Sequence, residues 1–357
     1  MKMHILSFCR LLTGLTLLMA CSKSKDNPGL PTTLPTLQYK NSTTLPIGRY
    51  QQSSTIANHQ LYIAGGNTNS QLAVNTVDVM DLGTGTWASR QLSIGKMDIM
   101  AGTVNNMAIF AGGTTNGLAG DNIANWFDGT ATNYKNKFSV GHRAAAVAVA
   151  NGKFALAGGG STSSLTDIVE IFDPATSQWT STNLSVARER LAGAAAGNKM
   201  FFAGGYTISA MTDVIDVYDL NSYTWSQMKL AQPRADMAGI GSGNKIYFAG
   251  GTLGNAVTDL VSIYDVSTNQ WTYAHLSLAR KNIVVAAVGS LLVFAGGSTG
   301  YAIDIYDTKT DTWSTIAMKT PRKAFSMAAS DNTLYLIGGV DSNDATIPTM
   351  DVYTLSN

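Results

Sequence analysis

Seven basic side chains recur along the chain at nearly even spacing: Arg49, Lys96, Arg143, Arg188, Arg234, Arg280 and Arg322. The two residues after each change in chemistry from copy to copy: Tyr50-Gln51, Met97-Asp98, Ala144-Ala145, Glu189-Arg190, Ala235-Asp236, Lys281-Asn282 and Lys323-Ala324. In a repeated structure, a position that keeps one residue type serves the scaffold, and a position that varies is free to serve a ligand. Gln51, Asp98, Glu189, Arg190, Asp236 and Asn282 supply donors and acceptors suited to a glycan, and the basic residues add a field suited to an anionic peptide. The carboxylates of Glu189, Asp98 and Asp236 are candidate general acids or bases. Glu189 lies between Arg188 and Arg190, and cationic neighbours weaken a carboxylate as a base.

Other chemistries find little support. The only cysteines are Cys9 and Cys21, so no disulfide framework or thiolate metal site is expected in the folded part. His59, His142 and His275 fall at non-equivalent places in three different repeats, so no metal is expected; His142, beside Arg143, points toward the site. No glycine-rich phosphate loop, Ser/His/Asp arrangement or nucleotide fingerprint occurs, and no cofactor is expected.

The first 20 residues read as an address. Lys2 and Arg10 give a positive start, and the apolar run Leu11 to Met19 leads into Leu18-Met19-Ala20-Cys21. A short apolar stretch with basic flanks is a secretory signal, and the small residue before Cys21 resembles a bacterial lipobox, in which the thiol is lipidated and the chain cut before it. Residues 21–35, rich in proline and small polar side chains, read as a flexible tether. Removing Lys2 and Arg10 from 24 basic residues, against 23 acidic ones, leaves a net charge of −1. That balance argues against nucleic acid as a partner. The expected location is the cell envelope, with a lipid anchor at Cys21.

These side chains must be positioned by a repeat. A Gly-Gly pair ends an apolar run seven times, at Gly65, Gly112, Gly158, Gly204, Gly250, Gly296 and Gly338, with spacings of 47, 46, 46, 46, 46 and 42. The basic residue stands sixteen places before each pair, fifteen for Arg143. After each pair comes an aromatic or Met followed by Asp, as in Tyr218-Asp219 and Tyr264-Asp265, and six residues after the Asp an aromatic such as Trp225 or Trp271. The seventh copy has Tyr353-Thr354 and then ends; the missing aromatic is Tyr39, 26 residues before Gly65. Residues 36–42 are therefore predicted to be the outer strand of the last blade, closing the array so that no long edge is left exposed. The large rings are predicted to pack between adjacent blades. Asp81-Leu82-Gly83 hints at the Asp-box of sialidases, but its spacing to Trp87 is one residue too long.

The glycine pairs, the aromatic-Asp dipeptides and the spaced Trp residues resemble kelch repeats over residues 36–357. The resemblance implies an all-β, seven-bladed kelch-type β-propeller, expected to be monomeric. In BTB-kelch adaptor proteins, arginines at this repeat position bind acidic peptides, which implies a basic ring at one channel mouth. Seven repeats of one residue type favour a structural role instead, in which each side chain satisfies backbone carbonyls or an Asp of the neighbouring blade. Galactose oxidase shares the blade number, but its copper site resembles nothing here. A bacterial kelch sugar epimerase uses Arg and Glu in its channel, a likeness at fold level only. Three readings stay open: a membrane-tethered module recognising a glycan or anionic peptide at the mouth, a carbohydrate-active enzyme of the epimerase or mutarotase type, and an envelope scaffold. The last would use the polar loops after each Gly-Gly, such as Asn67 to Val74 and Asp341 to Ile347.

Overall fold

Each repeat folds as a four-stranded antiparallel meander, because four short runs are separated by chain reversals that glycine, asparagine and aspartate make cheaply. The computed structural model describes residues 36–115, 119–130, 134–161 and 164–356. Residues 1–35, on which the signal, tether and Cys21 expectations fall, lie outside the described residues. In the fourth blade the strands run Ala192–Ala196, Lys199–Ala203, Val214–Asp219 and Thr224–Lys229, from the axis outward. Among the described residues there are seven such sheets, plus a small hairpin, Thr252–Leu253 with Ala256–Val257. The innermost strand of every blade packs against those of both neighbours, and the ring closes where Ser53–Ala57 meets Ser326–Ser330. This is a seven-bladed β-propeller.

The closing blade follows the predicted plan. Thr36–Thr44 pairs antiparallel with Thr349–Ser356, from Thr36 opposite Ser356 to Thr44 opposite Thr349. Tyr39 stacks edge-on against Tyr353, their centroids 5.8 Å apart. Leu37 is buried in a cluster that includes Tyr353 and residues of the sixth blade such as Val293.

The aromatic-Asp dipeptide does two jobs. The ring of Tyr218 faces its cross-strand partner Trp225 at 4.8 Å, and Tyr306 faces Trp313 at 4.9 Å, so these pairs lie within a blade. Rings also meet between blades, as predicted: Trp126 with Phe172 at 4.9 Å and Tyr247 with Tyr306 at 5.6 Å. The following Asp caps the turn to the outer strand. Asp81 Oδ1 accepts the N–H groups of Gly83 and Thr84, which gives Asp81-Leu82-Gly83 a structural use.

The glycine pairs set the distance between blades. Gly204 and Gly205 adopt φ of 62° and 102°. A Cβ on Gly204 would stand 2.1 Å from the carbonyl oxygen of Arg234 in the next blade, so only glycine fits. The Gly205 N–H then donates to that same carbonyl at 2.9 Å. The equivalent bond joins Gly66 to Lys96, Gly159 to Arg188, Gly251 to Arg280 and, across the closure, Gly339 to Arg49.

Candidate functional site

The basic residue of six blades is a staple whose side chain turns into its own blade, and the carbonyls of Arg49, Lys96, Arg188, Arg234 and Arg280 are held by the preceding blade. Arg234 donates from Nη1 to the carbonyls of Gly250 and Leu260, at 3.0 and 2.8 Å. Arg322 does the same with Gly338 and Thr349, and its guanidinium lies 2.7 Å from Asp351. Arg188 pairs with Asp216 at 2.8 Å, Arg280 with Asp304 at 2.6 Å, Arg49 with Asp78 and Lys96 with Asp121. All six side chains are at most 1% exposed. Desolvation pulls Arg49, Lys96, Arg188, Arg280 and Arg322 below their ordinary pKa, partly offset by the paired carboxylates. Arg234 meets Ser262 in place of a carboxylate and is lowered to about 10, so it too stays charged at neutral pH.

Arg49, Lys96, Arg188, Arg234, Arg280 and Arg322 are thus corrected from ligand contacts to scaffold: a guanidinium enclosed by carbonyls has no face left for a ligand. The carboxylates they meet belong to their own blade, and the neighbouring blade holds only the backbone.

The third blade corrects the reading of Arg143 and His142. His142, fully buried, occupies the staple position: Nδ1 lies 2.6 Å from the Gly158 carbonyl, and its own carbonyl accepts the Gly113 N–H at 2.9 Å. Glu170, at the place of Asp216, accepts from Ser139 and Ser181 and acts on the histidine's charge. Burial holds His142 below its ordinary pKa, and it faces no ligand. Arg143 is displaced one position, into the variable set, where it is partly exposed.

The second variable position builds the mouth. Gln51, Asp98, Ala144, Arg190, Asp236, Asn282 and Ala324 all adopt the left-handed conformation, with φ between 49° and 56°. Side chains with a Cβ rarely do so, and such residues persist only where the surroundings fix them. Here backbone bonds running from blade to blade fix them. Asp98 N–H donates to the Gln51 carbonyl, Asp236 to Arg190, Asn282 to Asp236, Arg190 to Ala144 and Gln51 to Ala324, all within 2.8–3.1 Å. All seven residues line one cavity of about 540 Å³ at the axis, together with Arg143.

The polar groups in that cavity are tied to one another and to the loops. Arg190 Nη1 donates to Asp236 Oδ1 at 3.2 Å, and Thr252 Oγ1 donates to Asp236 Oδ2 at 3.1 Å. Arg143 lies 3.4 Å from Glu189. Gln51 Nε2 donates to Asp98 Oδ2 at 3.2 Å, and Asn67 Nδ2 donates to Gln51 Oε1 at 2.8 Å. Asp98 is open to solvent but walled by protein. Desolvation raises its carboxyl above the usual range, against the lowering by the Gln51 bond and the Arg190 charge. The cavity is therefore charge-balanced, which corrects the expected basic mouth.

The first variable position ties the loops to the mouth. Tyr50 bridges to Asn67, Met97 to Thr114, Arg143 to Gly160, Glu189 to Tyr206, Ala235 to Thr252 and Lys323 to Val340. The loops after each Gly-Gly, which an envelope scaffold would use, rise from the same face. Sequence reasoning missed the loop residues Asn67 and Thr252, which hold the ring side chains. Their signal was a fixed place, the first residue after each glycine pair. Among the described residues no three His, Cys, Asp or Glu side chains gather as metal ligands, and His275 pairs with Asp259 on an outer strand.

A closed ring of glycine-paired, aromatic-stacked blades defines a kelch propeller, an interaction module in general. The model described as the KLHDC2/KLHL20/DRC7 Kelch-repeats domain matches residues 104–281, and the Kelch motif model matches residues 48–89; the chain is a kelch-repeat protein. A solved structure titled "Structure of YjhT" is similar in fold, with a TM-score of 0.56 and 14% identity over 88% of this chain and 99% of that one. No curated protein matches.

Proposed function

We propose that the protein is an envelope-tethered binding module that recognises a glycan at the propeller mouth. The observation that carries this reading is the left-handed ring. It gathers Gln51, Asp98, Arg190, Asp236 and Asn282, donors and acceptors together, around one open cavity. Concave sites with a few fixed polar groups suit a hydroxyl-rich ligand. The balance of charge favours a glycan over an anionic peptide, because the six buried cations no longer contribute contacts and Arg190 and Arg143 already face carboxylates.

The tether rests on the Lys2, Arg10 and Cys21 pattern. Membrane partition of a Cys21→Ser variant tests this part: release supports lipidation and retention overturns it.

Binding is tested on an array of glycans and acidic peptides, comparing the protein with an Asp98→Ala/Arg190→Ala/Asn282→Ala variant. Glycan binding that the variant loses supports the reading. Binding of acidic peptides alone, or equal binding by the variant, overturns it.

A second reading, turnover of that glycan, has one observation in its favour. Asp98 is the carboxyl that stands in the cavity with one oxygen bonded, to Gln51, and its raised pKa suits proton transfer. Asp236 is bonded through both oxygens and Glu189 faces Arg143, so neither is poised for that role. Product analysis with Asp98→Asn, expected to bind without converting, separates the two readings.

A further inference from the structure

The sixth blade interrupts the rim. In the other blades the connection after the glycine pair is long, as in Asn67 to Asn75 or Val340 to Pro348; in the sixth it is only Ser298 to Tyr301. The backbone bridge made by the first variable residue in the other six blades is absent here among the described residues. One of its two bonds remains, Ser298 N–H donating to the Lys281 carbonyl at 3.0 Å, and Thr299 Oγ1 ties the loop down onto the Ala279 carbonyl at 2.6 Å. A second cavity, of about 410 Å³, opens beside this low loop, between the sixth and seventh blades. It shares Gln51, Asn282, Ala324 and Phe325 with the axial cavity, so the two adjoin.

The two parts differ in character. The axial part carries Asp98, Arg190 and Asp236, whereas the side cleft carries the Tyr50 ring, Val284 and Val340, with the Lys323–Asp344 ion pair, 2.8 Å apart, on its wall. A polar end pocket leading into a cleft with aromatic faces suits a ligand that continues beyond its terminal unit. Sugar rings present apolar C–H faces to aromatic side chains and hydroxyls to amides and carboxylates.

Resting on the glycan reading, we propose that the ligand is an oligosaccharide, its terminal unit held in the axial cavity and the following units leaving through the cleft between the sixth and seventh blades. The shortened loop of the sixth blade is the device that opens this exit, and Tyr50 holds the outgoing units.

The test uses isothermal titration of the full protein with uncharged gluco-, manno-, galacto- and N-acetylglucosamine oligosaccharides of one, two, four and six units. The expected result is an affinity at least tenfold higher for four units than for one in the series that binds. Inserting four residues between Ser298 and Thr299, to match the other blades, should reduce that gain to under twofold and leave one-unit binding unchanged. If the insertion lowers the melting temperature, the Tyr50→Ala variant supplies the same comparison. Equal affinity for one and four units, or a gain that survives both kinds of variant, overturns the proposal and leaves the glycan reading standing. Absence of binding in every series overturns both.

Discussion

His142 Nδ1 lies 2.6 Å from the Gly158 carbonyl, the place where Arg234 meets Gly250 and Arg322 meets Gly338. One blade of seven is thus stapled by an imidazole in place of a guanidinium or ammonium group. Its Nε2 is buried with no hydrogen-bond partner, and desolvation holds its pKa below 6.5, against the raising effects of the Gly158 bond and Glu170. The unfolded chain therefore takes up a proton before the folded one does. This group's contribution to stability is present above pH 6.5 and is lost as the pH falls through 6.5 toward the folded value. Each unit of depression corresponds to about 1.4 kcal/mol. Urea denaturation at pH 7.5 and 5.5 should show the protein losing more stability than His142→Gln over that interval; parallel losses would contradict the assignment.

Arg234 is the staple with no carboxylate to meet, and Ser262 stands where Asp216 and Asp304 stand in their blades. A buried cation without a counter-ion leaves stability to be gained. Ser262→Asp is expected to raise stability by about 1–3 kcal/mol at neutral pH, the range of a charged hydrogen bond that replaces an unmet charge. The gain should vanish in acid as the new carboxylate protonates. A lower melting temperature at pH 7 would show that the site cannot admit the extra atoms.

Gly241 and Gly243 lie two residues apart and should respond in opposite ways to alanine. A Cβ on Gly241 would stand 1.7 Å from the Ala195 carbonyl oxygen, between the innermost strands of the fourth and fifth blades. Gly243 adopts φ of 57° but has nothing within 4 Å of its Cβ position. Gly243→Ala should cost about 1 kcal/mol, the penalty of a left-handed alanine. Gly241→Ala must force two blades apart and should cost about 3 kcal/mol or more, in line with overpacking of a tight core. Thermal melts of the two variants make the comparison, and equal losses would refute it.

The residues that repeat were the ones legible in the sequence. The glycine pairs, the turn-capping Asp residues and the stacked Tyr218–Trp225 type of pair are demanded by blade geometry in every copy, so their spacing alone gave the blade number and the closing strand. The mouth was half legible. Variation marked Gln51, Asp98, Arg190, Asp236 and Asn282, all of which line the cavity. The basic residues misled because sequence does not say whether a long guanidinium arm reaches outward or folds back. The carbonyls of Gly250 and Leu260 that capture Arg234 exist only once the blade has formed. Arg143 misled by residue type: the staple of its blade is the histidine one place earlier, which makes the same bond with a shorter arm.

The closing strand carries the last prediction. Leu37 is 3% exposed and packs in one cluster with Tyr353, Val288 and Leu291, so it joins the N-terminal strand to two blades at once. Leu37→Ala should cost about 2–4 kcal/mol, the usual range for a truncated core leucine. Deleting residues 36–44 has a different consequence. It removes every partner of the outer edge of Thr349–Ser356 and leaves that edge open to another chain. The deletion variant is expected to elute as dimers or larger species in size-exclusion chromatography and to melt well below the parent, whereas Leu37→Ala should change the melting temperature with no change in elution volume. A deletion variant with the parent's elution and melting temperature would mean that the strand decorates the seventh blade without closing it.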